Sequence, residues 1–139
     1  ELALPVDGKG LRRVGEADAA GIERPGILIA TRPRALVTSP TAATIRYTGP
    51  LLDYGNVIIL EPAPEVLWVF AGLAETFGST GEVLPEGAAI GLMGGETQNA
   101  QDILTESRDG GGTTRSETLY LEVRDRQGAV DPGQWFALE

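Results

Sequence analysis

The sequence predicts an all-β fold, a barrel or sandwich of short antiparallel strands, and three observations carry that prediction. Seven apolar runs have strand length and are rich in β-branched and aromatic residues. The breaks between them are made of turn-forming residues. The 19 glycines and 9 prolines are spread through the 139 residues and punctuate these runs. Many short strands with close turn signals mark this class of architecture.

In order, the runs are "GILIA" (26–30), "ALVT" (35–38), "TIRYTG" (44–49), "NVIIL" (56–60), "EVLWVFAGL" (65–73), "AAIGLMGG" (88–95) and "TLYLEVR" (118–124). "TSP", "TGP", "DYGN", "EPAPE", "PEG", "RQG" and "DPG" supply the turns. "NVIIL-EPAPE-VLWVFAGL" reads as a hairpin with a proline-bearing loop. Two segments read differently. "LAETF" (73–77) is expected as a short helix or turn. "TQNAQDILTESR" (97–108) has helical composition, with Asn99 as a cap and Ile103 and Leu104 as apolar contacts. It lies in a long connection, residues 94–117, of the kind that is functional or mobile in compact domains.

A chain of 139 residues suits one domain, burying roughly two thirds of its unfolded surface. Apolar residues make up 42% and charged residues 22%, ordinary for a globular domain. No apolar run approaches the ~20 residues of a membrane span. No signal peptide is visible, and a start at Glu1 suggests a C-terminal piece of a longer protein. The net charge of −9 repels a phosphate backbone, so nucleic acid is not an expected partner. Cysteine and histidine are both absent. Zinc sites are built mainly from His nitrogen and Cys sulfur, so no ordinary zinc site and no cofactor are expected. A histidine general base and a Ser–His or Cys–His pair are excluded as well.

"GEVLPEGAAIGLMGG" has the pattern G-x-V-x-x-x-G-x-x-I-G-x-x-G, a tight turn, a strand and another glycine turn of the kind that recurs in barrel-sandwich folds, including biotinyl and lipoyl carrier domains. Those carriers need a lysine at a hairpin tip. The lone lysine, Lys9, lies near the N-terminus beside "DGKG", so the carrier reading fails. Taken in order, the segments resemble the LytM (lysostaphin-like) zinc metallopeptidase family. "LPVDGKGLRRVGE" resembles its opening W-P-V-x-G block, and "RPGIL" stands at H-x-G-x-D. "DYGNVIIL" stands at Y-G-N-x-V-x-I, and "VFAGL" at Y-x-H-L. "TLYLEVRDRQGAVDPGQWF" stands at H-x-H-F-E-x-R with its closing D-P-x-x-W. The resemblance implies a LytM-type β-barrel/sandwich hybrid core over residues 1–139, with 94–117 as a long loop insertion.

It also implies where the family's functional residues would fall. The first ligand His falls on Arg24, the ligand Asp on Leu28 and the His of Y-x-H-L on Gly72. The two histidines of H-x-H fall on Thr118 and Tyr120. Every one is replaced, which resembles the degenerate, non-catalytic branch of the family, the EnvC-type and NlpD-type activators of cell-wall amidases, with EnvC the closer. That branch implies a periplasmic domain whose former active-site groove docks a helix of an N-acetylmuramoyl-L-alanine amidase, with an upstream region linking it to the division machinery. The alternative is a peptidoglycan-binding module without catalysis. A metal-independent hydrolase using an Asp/Glu pair ranks last, because nothing in the carboxylate spacing supports it.

Strand alternation assigns faces. Thr118, Tyr120, Glu122 and Arg124 share one, and Leu119, Leu121 and Val123 the other, which is core. Counting in twos from Gly72 places Trp68 and Phe70 on the groove floor, against a plainer reading of both as core. For Glu122 with Arg124 the plainer reading is an exposed charged face. Leu28 and Tyr120 are the expected anchors for a partner helix, with little effect on stability. "VDPGQW" is expected as a turn anchoring the C-terminus, and "YGN" (54–56) as a turn that requires its glycine.

Overall fold

A computed structural model describes residues 2–6, 8–12, 25–51, 54–95, 118–126 and 128–136. Arg24 and most of the long connection, including the expected helix over 97–108, lie outside the described residues. Among the described residues there are eleven strands and no α-helix. The strands are β1 (Gly8–Arg12), β2 (Ile27–Thr31), β3 (Leu36–Thr38), β4 (Ala43–Leu51), β5 (Gly55–Ala63), β6 (Val66–Leu73), β7 (Glu75–Thr76), β8 (Val83–Leu84), β9 (Ala89–Leu92), β10 (Thr118–Asp125) and β11 (Gly128–Val130), followed by a 3-10 turn, Pro132–Gln134.

The strands form two sheets, with every pairing antiparallel. The large sheet runs β1-β2-β10-β6-β5-β4-β8, with β11 also on β10, and the small sheet runs β3-β9-β7. The small sheet contributes Val37 and Ile90 to a core that the large sheet fills with Ile29, Ile45, Phe70 and Leu121, all fully buried. Burying each such side chain is worth about 1.5–3 kcal/mol. All seven apolar runs are therefore strands, as alternation and turn placement predict.

"LAETF" is not a helix. Its Glu75 and Thr76 pair with Leu92 and Gly91 as β7, an edge strand whose partner lies fifteen and more residues further along the chain. β5 continues through Pro62, which a ladder tolerates because the pairing with β6 is bulged there. The hairpin closes with Ala63 opposite Val66, and Glu65 takes the left-handed φ of +64°. At the C-terminus, Asp131 Oδ1 accepts from Gly133 N–H at 2.9 Å and starts the 3-10 turn. The turn delivers Trp135 and Phe136 onto Trp68, with ring centroids 5.8 and 5.0 Å away. This is the anchor expected of "VDPGQW".

One irregularity positions everything that follows. In β6, Ala71 pairs with Val57 but Leu73 pairs with Asn56, so Gly72 is an extra residue between them. Its φ of +90° is left-handed, and a Cβ there would meet the Thr118 carbonyl oxygen at 2.7 Å. Only glycine suits both demands. The bulge reverses the face count, so Ala71 and Val69 point one way and Phe70, Trp68 and Leu73 the other.

Candidate functional site on the outer face of the large sheet

The face of the large sheet turned away from the main core carries its own apolar cluster. Val57, Val69, Ala71 and Tyr120 are buried in it, with Leu28, Tyr47, Tyr54 and Ile59 half-buried around them. The register explains the grouping. Leu28, Tyr120, Ala71 and Val57 lie side by side across β2, β10, β6 and β5. The next row is Glu122, Val69, Ile59 and Tyr47 across β10, β6, β5 and β4. Tyr47 joins this row because β4 is bulged between Ile45, which points into the core, and Tyr47.

Tyr120 is the centre. It is 5% exposed, and its ring lies 5.9 Å from that of Tyr54. Its hydroxyl accepts from the Gly26 N–H at 3.1 Å and donates to Glu122 Oε1 at 2.7 Å. Arg124 Nη1 donates to the other oxygen, Oε2, at 2.5 Å. Each carboxylate oxygen of Glu122 thus has its own donor, which is what a carboxylate only 5% exposed requires. Any side chain at Gly26 would overlap the Tyr120 ring and the Leu121 carbonyl, so the start of β2 sits directly on the phenol. Burial foremost, then the hydrogen bond to Glu122, pushes the Tyr120 hydroxyl well above the ordinary tyrosine range. The phenol therefore stays protonated at any ordinary pH.

The residues that alternation assigned to the groove divide into two groups. Leu28, Thr118, Tyr120 and Glu122 belong to this side, and Gly72 lies against the backbone of Thr118. Trp68 and Phe70 do not. Both are 0% exposed and lie in the main core on the opposite face, because the Gly72 bulge shifts the count by one. Glu122 is not an exposed charge either: it is buried, with Arg124 half-exposed at the rim. Sequence reasoning missed Gly26, Tyr47, Val57, Ile59, Val69 and Ala71 as members of this face. Their signal lies in strand register, which the two bulges conceal.

Residues 23–132 match the family described as peptidase family M23. The chain belongs to that family. Over 134 residues it is 27% identical to an uncharacterized protein of Neisseria meningitidis serogroup B, spanning 96% of this chain and about a fifth (20%) of that relative's length. Among solved structures, it is similar to the catalytic domain of lysostaphin, an antimicrobial peptidase from Staphylococcus simulans. That match has a TM-score of 0.72 at 17% identity and covers 93% of this chain and 92% of that one. Helicobacter pylori Csd3 matches with a TM-score of 0.67 at 18% identity, over 99% of this chain but 35% of that one. At such identities the two structures establish the M23 fold and nothing finer.

The M23 fold implies zinc, and the residues described at the expected ligand positions do not fit it. Leu28 has no donor atom. The Tyr120 oxygen already accepts one hydrogen bond and donates another, and its surroundings oppose the phenolate a metal would require. Among the described residues no three His, Cys, Asp or Glu side chains are grouped to hold an ion.

Proposed function

We propose that this M23 domain is a non-catalytic activator of a periplasmic N-acetylmuramoyl-L-alanine amidase, and that it docks an amphipathic amidase helix on the outer face of the large sheet. One observation carries the reading. Where the family resemblance places a ligand histidine, the Tyr120 hydroxyl is committed to Gly26 and Glu122, and an apolar face surrounds it. The row from Leu28 to Val57 spans three strand spacings, about 14 Å, which accommodates one helix of about 10–12 Å diameter. Half-buried Leu28, Tyr47, Tyr54 and Ile59 line that width with apolar surface, as helix-in-groove recognition requires. A glycan would ask instead for many polar side chains; Glu122 is turned inward to Tyr120 and Arg124.

Dye release from purified cell walls tests the proposal, with amidase alone, this domain alone, and both together. Release only in the combined sample is expected. Release by the domain alone overturns the non-catalytic reading. Binding of the domain to cell walls without amidase, with no stimulation of release, moves the peptidoglycan-binding reading to first place.

A further inference from the structure

The outer face raises a structural question that the docking reading leaves open. In a metal-holding site, ligands from separate segments are joined through the ion, and part of the folding free energy comes from that joint. Here the residues at the corresponding positions do not fit an ion, yet β2 and β10 must still be held together at this end of the sheet.

The strand ladder alone does not complete the joint. β10 pairs with β2 from Thr118 to Leu121, with Leu121 opposite Ile27, and the pairing ends there. Gly26 is the next residue out, and its buried N–H is satisfied by a side chain, the Tyr120 phenol, from 94 residues away. The phenol proton continues to Glu122 Oε1, and Arg124 closes the series at Oε2. Each group has a complementary partner, so the series runs from backbone donor to phenol, carboxylate and guanidinium with no buried polar atom left over. Its geometry also forbids substitution at one end, since a side chain at Gly26 would collide with the ring.

We propose that Tyr120 is a positioning residue whose phenol, fixed between Gly26 and Glu122, fastens the start of β2 to β10 in place of a metal and so keeps the outer apolar face in shape without an ion. Tyr120 then presents no free anchor to a partner; it holds Leu28, two residues beyond Gly26, in line with Ala71 and Val57. The docking role of that face rests on the function proposed above, whereas the fastening does not.

The test uses the purified chain by itself, so its failure is distinct from a failure of amidase activation. Amide hydrogen exchange at Gly26 is measured with EDTA and with added zinc, for the parent, Tyr120→Phe and Glu122→Gln. In the parent, Gly26 exchanges slowly in EDTA, and zinc changes nothing. In Tyr120→Phe, Gly26 exchanges about tenfold faster or more, while Val57 and Ile58 in β5 keep their protection. Glu122→Gln keeps a carbonyl oxygen for the phenol and retains most of the protection. Rapid exchange of Gly26 in the parent, slowing on addition of zinc, or no change in Tyr120→Phe would each overturn the proposal. The parent measurement with and without zinc decides even if Tyr120→Phe does not fold.

Discussion

The two faces of the large sheet are built from alternate residues of the same strands, yet they differ in kind. In β6, Trp68 and Phe70 face an apolar core closed by the small sheet and by Trp135 and Phe136. Val69 and Ala71, one residue away, face a cluster organised around a polar series of a phenol, a carboxylate and a guanidinium. The inner face depends on volume and the outer face on hydrogen-bond partners. Inner-face substitutions should therefore act through stability, and outer-face substitutions increasingly through local order and binding.

The largest expected effect is on the inner face. Phe70→Ala removes a fully buried ring and should cost about 3–5 kcal/mol, read as a drop in the denaturant midpoint with an unchanged slope. That is a large share of the ~5–15 kcal/mol of a typical domain. A loss under ~1 kcal/mol would mean that the two faces are not distinguished as described. Next comes the hinge between the faces. Gly72→Ala forces a left-handed φ on a residue with a Cβ and drives that Cβ toward the Thr118 carbonyl. About 1–3 kcal/mol should be lost, as measured by chemical denaturation. Gly55→Ala, whose φ of +74° is also left-handed but whose Cβ would meet nothing, separates the conformational part from the collision.

Much of this division is legible in the sequence, for a physical reason. A strand announces itself locally through an apolar run between turn residues, so all seven runs are found. β7 and β8 have two residues each and exist only because a partner strand is present, so nothing local marks them. Face assignment holds as far as alternation is unbroken. It is right for Tyr120 against Leu121, and wrong for Trp68 and Phe70, because Gly72 inserts one residue into β6. The motif positions Leu28, Thr118 and Tyr120 are readable from spacing, but the Gly26–Tyr120 bond that gives Tyr120 its role joins segments far apart in sequence. At 5% exposure Tyr120 is part of the sheet's own packing, so its truncation is expected to lower stability and not to leave it unchanged.

Tyr120 also supplies the pH dependence that separates the faces. Tyr120→Phe keeps the ring but leaves the buried Gly26 N–H and Glu122 Oε1 without their partner, at about 1–3 kcal/mol near neutral pH. The parent's hydroxyl is held above the unfolded value of about 10, so above that pH the unfolded chain releases a proton that the folded chain keeps. The contribution is fully present below pH ~10 and is lost as pH rises beyond it. Urea midpoints at pH 8 and pH 11 should therefore fall more steeply in the parent than in Tyr120→Phe, since Tyr47 and Tyr54 are common to both. Parallel profiles would remove Tyr120 from the account of alkaline stability.

A small stability effect and the sharpest functional one should coincide at Leu28. It stands opposite Tyr120 on the outer face and is only half-buried, so Leu28→Ala forfeits part of the ~1.5–3 kcal/mol of a fully buried leucine, about 1 kcal/mol. No hydrogen bond depends on its side chain, and the Gly26–Tyr120–Glu122 series should remain intact. If an amidase helix docks here, however, Leu28 lies in the row it must cover, where a few desolvated apolar side chains carry most of the affinity. Leu28→Ala should then raise the domain concentration needed for half-maximal dye release by about tenfold, and Leu28→Asp further, because it buries a carboxylate against an apolar helix face. Arg46→Ala is the control on the same sheet. Its guanidinium is exposed and lies 3.5 Å from Glu61, an ion pair worth little, and its loss should move neither the midpoint nor the activation curve. If Leu28→Asp activates like the parent while its Gly26 amide stays protected, the outer face is intact and yet is not where the partner binds.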